Sequence, residues 1–174
     1  GRSMMAMTLT SKVGYKLHCG PYAPEVYRIP FPYYQEHIET ISEAAFGKKH
    51  LDYLESYFNQ GVAASQVAAI ILEPVQGEGG FHVVSPTYLK GLREICDKYG
   101  IMLILDEVQS GFGRTGKWAA YEHYNVIPDL STWAKSMGGG MPIGCVMGKA
   151  HVMDAAAPST IGGTYPGNPV CAAA

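Results

Sequence analysis

Two apolar runs, each ending on a carboxylate and followed by glycines, constrain the fold of this chain most strongly. Residues 67–72 lead into Glu73, and residues 101–105 lead into Asp106. Continuous apolar runs of this length are typical of parallel strands that are buried on both faces of a sheet. A buried strand that ends on a charged side chain also indicates that the charge has a partner or a ligand at that point.

The segment between these two runs has the features of an amphipathic helix. Ser85 is a good N-cap, Pro86 suits the first helical position, and Gly100 suits the C-terminal cap. The apolar residues of this segment recur on one helical face, at Leu89, Leu92, Cys96 and Tyr99. The order is therefore strand, helix, strand.

Further along the chain, a short helical segment is expected at 118–124, and two more strands are expected within 130–136 and 143–148. Strands that alternate with helices are typical of an open sheet whose strands run mostly in parallel. The predicted fold class is therefore α/β, with a mostly parallel mixed sheet and helices on both faces.

The first part of the chain differs from the rest in composition. Residues 20–34 contain four prolines, and proline removes a backbone donor and disrupts a helix interior. We therefore expect residues 1–35 to form an extended crossing segment, and residues 36–174 to form the domain core. Apolar residues at helical spacing, beginning at Ile38, predict a helix within 36–61, closed by Gly61.

The composition excludes several classes of function. Hydrophobic residues make up 47% of the chain and charged residues 16%, with a net charge of -2 and no basic block, so nucleic acid and membrane surfaces are poor partners. No apolar run reaches the ~18 residues of a membrane span. The four cysteines form no C-x-x-C pair, which predicts free thiols, a cytoplasmic protein and no metal site.

Three charged residues are predicted on one rim of the sheet. Glu73, Asp106 and Lys135 all follow predicted strands, and ligands of open α/β sheets bind outside the carboxyl ends of the strands. One interpretation is a structural ion pair between Asp106 and Lys135. The other is a pyridoxal phosphate site, because that cofactor needs a lysine for its Schiff base and an acid beside its pyridine nitrogen.

Four motifs carry a family resemblance that favours the second interpretation. They are EPVQGEGG at 73–80, LDEVQSGFGRTG at 105–116, AKSMGGGMPIG at 134–144 and GGTYPGNP at 162–169. In this order they resemble the large-domain middle of a class III (omega) aminotransferase, a pyridoxal phosphate enzyme of fold type I. Within that family the chain looks most similar to the 4-aminobutyrate aminotransferases.

The resemblance implies roles for residues at the strand ends. Lys135 would form the internal aldimine and shuttle a proton between the substrate carbon and the cofactor. Asp106 would pair with the pyridinium, Val108 would pack on the ring, and Gln109 would bond to the ring hydroxyl. Glu73 would lie near the ring.

The resemblance also implies three contacts farther from the ring. Gly163 and Thr164 would bind the cofactor phosphate of a neighbouring subunit, which implies a homodimer or a higher homo-oligomer. Glu78 would pair with a movable arginine, so that one pocket accepts both an omega-amine and a 2-oxo diacid.

The implied activity is transfer of the amino group of an omega-amino acid, 4-aminobutyrate, to 2-oxoglutarate. The family's phosphate-binding loop and its small C-terminal domain have no counterpart in this sequence, so we expect a fragment that is inactive alone. Two alternatives stay open: a non-catalytic truncated domain that acts as an assembly unit, or another enzyme of the same fold, an aminomutase or racemase.

Overall fold

The computed structural model describes residues 2–163 and 166–174, and the chain divides into two compact units, Gly1–Pro30 and Phe31–Ala174. None of the helices described in these ranges is long and apolar enough to cross a membrane. All four cysteines are free thiols, as predicted.

The first unit contains two short helices, α1 (Met4–Leu9) and α2 (Val13–Lys16), and residues 2–30, the part of it that the structure describes, contain no further helix. The helices differ from the extended conformation expected for 1–35, because every proline of this region lies beyond residue 20 and leaves the preceding residues free to turn. The backbone N–H of Ala23 donates to the Thr8 hydroxyl over 3.0 Å and ties the proline-rich part to α1.

The second unit is built on a four-stranded sheet in the order β1 (Ala69–Leu72), β2 (Met102–Asp106), β3 (Leu130–Trp133) and β4 (Cys145–Gly148). The first three strands are parallel, and β4 is antiparallel to β3. The predicted α/β class with a mixed, mostly parallel sheet is therefore confirmed.

The helices of this unit are α3 (Glu43–Tyr57), α4 (Pro86–Tyr99), α5 (Ala150–Met153) and α6 (Pro169–Ala173). Three 3-10 turns also occur, at Ala64–Gln66, Ala120–His123 and Lys135–Gly138. The caps predicted for α4 are confirmed, because the Ser85 hydroxyl accepts from the Tyr88 N–H over 3.1 Å and Gly100 has a left-handed φ of 69°.

Helix α3 begins later than the apolar spacing predicts. Ser42 caps it by accepting from the Ala45 N–H, and Ile38, which matched the helical spacing, lies before the cap with 69% of its surface exposed. The C-terminal end also comes earlier than expected, because the helix ends at Tyr57 with Phe58 as its cap; the Gly61 N–H still donates to the Tyr57 carbonyl over 2.8 Å.

The core lies where α4 packs against α3 and β2. Its fully buried side chains include Leu89, Leu92, Cys96, Leu103 and Leu105. Burial alternates along β2, where Met102 and Ile104 are only half-buried, and Ile71 in β1 is 39% exposed. Burial of both strand faces is therefore not observed, because alternate side chains of a strand point to opposite faces and one face is less covered here.

A buried ion cluster joins these elements at the start of β3. Asp129 accepts from the Arg93 guanidinium and the Lys149 ammonium, each over 2.7 Å, and from the Leu103 N–H over 2.8 Å. Burial alone would raise the pKa of Asp129, but these hydrogen bonds outweigh it and hold the pKa at about 2. The cluster therefore links α4, β2, β3 and the segment after β4.

Candidate functional site

Asp106 is the last residue of β2 and lies at the carboxyl end of the parallel strands. Its side chain is half-buried, and its Oδ1 accepts from the Val108 N–H over 3.0 Å. The neighbouring residue in the sheet register is Thr132 of β3, whose buried hydroxyl has no hydrogen-bond partner among the described groups. The Thr132 hydroxyl is therefore an unused hydrogen-bonding group beside Asp106, on the same face of the sheet.

Lys135 lies two residues beyond β3, at the first position of the 3-10 turn Lys135–Gly138. Its φ of 51° is left-handed, which costs a residue with a Cβ about 1 kcal/mol or more and is found mostly at functional or tightly constrained positions. The ammonium is exposed and donates to the Gln109 side-chain oxygen.

The structure does not support the ion-pair interpretation of Asp106 and Lys135. The ion pairs found in the described part of the chain do not include one between these two side chains, although both are described. Lys135 is hydrogen-bonded to the neutral side-chain amide of Gln109 instead. The Asp106 carboxylate and the Lys135 amine therefore lie at one rim of the sheet without forming an ion pair.

A tight turn, residues 107–111, carries Val108 and Gln109 away from β2. It is closed by the Gly111 N–H, which donates to the Glu107 carbonyl over 2.8 Å. The hydroxyl of Ser136, the residue after Lys135, donates to the Gly111 carbonyl over 3.4 Å. The turn thus contacts the Lys135 segment at Gln109 and again at Gly111.

Glu73 joins the same rim from the end of β1. Its half-buried carboxylate accepts from the Gly77 N–H over 3.0 Å. Burial raises the pKa of Glu73, the charge of Asp106 adds to that rise, and the Gly77 hydrogen bond and the charge of Lys135 oppose it. Asp106 and Lys135 therefore both lie close enough to Glu73 to act on its carboxylate electrostatically.

Gly77 sets the spacing between the first loop and the turn 107–111. A Cβ built on Gly77 would lie 2.9 Å from Cγ of Gln109, closer than side chains approach one another. Glycine is required where two backbones or a backbone and a side chain meet this closely. The loop after β1 and the turn after β2 are consequently in direct contact.

The structure brings some of the predicted residues together and leaves others apart. Glu73, Asp106, Val108, Gln109 and Lys135 share the rim described above. Glu78 lies exposed in the loop after Gly77, and Gly163 is exposed in the segment that leads to α6. Thr164 lies outside the described residues. The roles predicted for all of these residues stay predictions.

Sequence reasoning missed a buried carboxylate directly beside Asp106. Glu107 is 1% exposed, and its side chain accepts from the Ser110 hydroxyl and from the backbone N–H groups of Ala120 and Tyr121. The signal available in the sequence was the acid pair itself, because two adjacent residues at a strand end point to opposite faces and so meet different surroundings.

Comparison with known proteins identifies the family of this chain. The family described as "Aminotransferase class-III" matches residues 1–174. This chain belongs to the class III aminotransferases.

Two relatives and one solved structure illustrate the similarity of this aminotransferase chain. It is 45% identical to a "Probable 4-aminobutyrate aminotransferase" of Bacillus subtilis (strain 168) and 46% identical to a "5-aminovalerate aminotransferase" of Pseudomonas aeruginosa, over 100% of this chain and 40% of each relative. An (S)-enantioselective omega-transaminase from Thermomicrobium roseum superposes with a TM-score of 0.90 at 35% identity, over 99% of this chain and 40% of that one. The chain thus spans about two fifths of the length of the relatives it matches.

Proposed function

We propose that the protein carrying this chain is a pyridoxal phosphate-dependent aminotransferase that moves the amino group of an omega-amino acid to 2-oxoglutarate. The observation that carries the proposal is the placement of Asp106 and Lys135 on one rim of the sheet, unpaired with each other, with Lys135 donating to Gln109 in the turn that follows Asp106. We name 4-aminobutyrate as the donor because relatives at 45% and 46% identity are named for 4-aminobutyrate and 5-aminovalerate, two omega-amino acids.

The residues on this rim fit the cofactor. Class III aminotransferases use pyridoxal phosphate, which supplies an electron sink for a carbanion at the substrate. Lys135 offers an exposed amine on a constrained backbone, and Asp106 offers a half-buried carboxylate for the pyridine nitrogen. The buried Thr132 hydroxyl, without a partner among the described groups, is a polar group of the kind that a ligand satisfies.

The chemistry assigned to this chain's own residues is proton handling and orientation. Asp106 would keep a proton on the ring nitrogen by its negative charge. The Lys135 amine would accept a proton from the substrate carbon and return it at the end of the transfer. Gln109 would aim that amine, since its side-chain oxygen already accepts from Nζ.

The proposal also assigns roles to the other residues predicted for this site. Val108 and Glu73 would contact the ring, Glu78 would help the pocket to accept two substrates, and Gly163 with Thr164 would bind the phosphate across a homodimer. A cytoplasmic location is proposed from the four free thiols.

The test uses the full-length protein that contains this chain. The protein is mixed with pyridoxal phosphate, reduced with borohydride and digested, and the modified lysine is identified by peptide mass. Transfer from 4-aminobutyrate and from 5-aminovalerate to 2-oxoglutarate is measured in parallel, with Lys135→Ala as the inactive variant and Lys48→Ala, an exposed lysine of α3, as the control.

Labelling at Lys135 together with amino transfer in the wild type and the control supports the proposal. Labelling elsewhere, or no net transfer from any omega-amine, overturns it. Migration or inversion of the amine without transfer to 2-oxoglutarate indicates the aminomutase or racemase alternative. Cofactor binding without turnover indicates the assembly-unit alternative.

A further inference from the structure

We propose that Glu107 is a positioning residue that fixes Gln109 and Lys135 relative to Asp106, an inference that rests on the function proposed above. Glu107 would act through the turn 107–111 and touch neither substrate nor cofactor.

The first observation is the unusual environment of this carboxylate. Glu107 is 1% exposed, and the ion pairs found among the described residues do not include it. Three donors satisfy it instead: the Ser110 hydroxyl at 2.5 Å, the Ala120 N–H at 3.1 Å and the Tyr121 N–H at 3.0 Å. A buried carboxylate is costly unless it is hydrogen-bonded, and bonds to an ionised acceptor are stronger than neutral ones.

The second observation is the way Glu107 joins segments that lie apart in the sequence. Its N–H donates to the Thr132 carbonyl over 2.9 Å and holds the start of the turn to the end of β3. Its side chain reaches the 3-10 turn Ala120–His123. One residue therefore connects β2, β3 and a turn that begins thirteen positions later.

The third observation is that the turn 107–111 holds the Lys135 segment through two hydrogen bonds. Gln109, in the middle of the turn, accepts from Lys135, and Gly111, at its end, accepts from Ser136. The Ser110 hydroxyl lies between these two contacts and donates to Glu107. Any shift of the Glu107 carboxylate would therefore move both groups that hold the Lys135 segment.

The left-handed backbone of Lys135 makes the position of its amine dependent on the contacts made by the turn 107–111. A residue with a Cβ keeps such a conformation only where surrounding contacts determine it. Two of the hydrogen bonds described on this segment come from the turn that Glu107 fixes. Loosening the turn would let the amine relax away from the ring, while Asp106 would stay at its strand end.

The experiment uses the full-length protein loaded with pyridoxal phosphate. Glu107→Gln keeps the shape of the side chain and removes its charge. The matched control is Glu122→Gln, since the Glu122 carboxylate accepts from the Ala119 N–H over 2.7 Å in the same segment and has no hydrogen bond to the turn 107–111 among those described. The readouts are the rate of borohydride labelling at Lys135, the pH midpoint of the visible absorbance band of the bound cofactor, kcat, KM and thermal unfolding.

We expect Glu107→Gln to lower the labelling rate and kcat by about tenfold or more and to move the pH midpoint, with KM nearly unchanged. Glu122→Gln is expected to keep the wild-type midpoint and kcat. A Glu107→Gln protein that is less stable but has the wild-type midpoint, labelling rate and kcat would show a purely structural residue and overturn the proposal. The same change of midpoint in both variants would also overturn it.

Ser110→Ala provides a second route if Glu107→Gln does not fold. It removes one of the three donors and leaves the carboxylate in place, so we expect a smaller change in the same direction in the labelling rate and the pH midpoint. Wild-type values in Ser110→Ala, in the absence of folded Glu107→Gln, would contradict the proposal. Failure of the wild type itself to form the Lys135 linkage would refute the proposed function, and this inference with it.

Discussion

Two aspartates at neighbouring strands of the same sheet have very different surroundings. Asp129, just before β3, is buried and bonded to two cations and one N–H group, whereas Asp106, at the end of β2, is half-buried and accepts from one neighbouring N–H. The first carboxylate has its hydrogen-bonding capacity taken up by the fold. The second has capacity left for a ligand, and the Thr132 hydroxyl beside it also lacks a partner among the described groups. The comparison separates a carboxylate that stabilises the fold from one that is available to a ligand.

The largest expected effect is that of Asp106→Asn on catalysis. The amide cannot hold a proton on the ring nitrogen by charge, so we expect kcat to fall by roughly 100-fold or more. The free energy of unfolding should change little, because Asp106 has no ion pair among those described. Steady-state kinetics and urea unfolding of the full-length protein measure both quantities, and wild-type turnover would remove Asp106 from the site.

Asp129→Asn should have the opposite profile. Breaking a buried pair leaves Arg93 and Lys149 without their shared acceptor, and we expect a loss of about 3 kcal/mol in the free energy of unfolding. Turnover of the protein that remains folded should stay close to that of the wild type. Asp97→Asn is the control, since it removes the exposed partner of Arg93 and should cost less than about 1 kcal/mol. Equal losses in the two variants would contradict the buried-cluster interpretation.

Acid should weaken the Asp129 cluster in a defined range. Its pKa is about 2 in the folded state against an ordinary 3.8, so the folded protein holds this proton less tightly than the unfolded chain does. The resulting stabilisation, about 2 kcal/mol, is present above about pH 4 and is lost as the pH falls towards 2. Unfolding experiments between neutral pH and about pH 3 should show a shallower loss in Asp129→Asn than in the wild type; parallel curves would count against the lowered pKa.

The smallest effect is expected for Glu73→Gln. Burial raises the pKa of Glu73, so the folded state holds its proton more tightly, and keeping it ionised at neutral pH costs stability. The amide still accepts from the Gly77 N–H, and we expect a gain of less than about 1 kcal/mol at neutral pH that disappears as the pH falls below the raised pKa. Glu94→Gln, on an exposed position of α4, is the control and should show no such pH dependence.

The comparison of the two aspartates also marks the limit of what the sequence predicts. The caps of α4 were predictable because Ser85, Pro86 and Gly100 act within one turn of the residues they cap. The first two strands and their carboxyl ends were predictable from apolar runs, which placed Glu73 and Asp106 on one rim. Asp129 was not recognised, because its partners Arg93 and Lys149 are 36 and 20 positions away.

The errors have the same physical origin. Ile38 matched a helical spacing that α3 does not use, because a local cap at Ser42 starts the helix later. The apolar runs indicated burial on both faces, but which face is covered depends on helices elsewhere in the fold. Glu107 was overlooked because two of its donors, Ala120 and Tyr121, come from a segment that nothing local connects to it.

Gly77 has a consequence for how this sequence can vary. A Cβ at position 77 and the side chain of Gln109 would compete for one volume, with 2.9 Å between the built Cβ and Cγ. Substitutions at the two positions are therefore coupled: a larger residue at 77 can be accommodated only if residue 109 is shortened or displaced. Residue 109 also contacts Lys135. The choice of residue at 77 therefore restricts which side chains can replace Gln109, and so which groups can bond to the Lys135 amine.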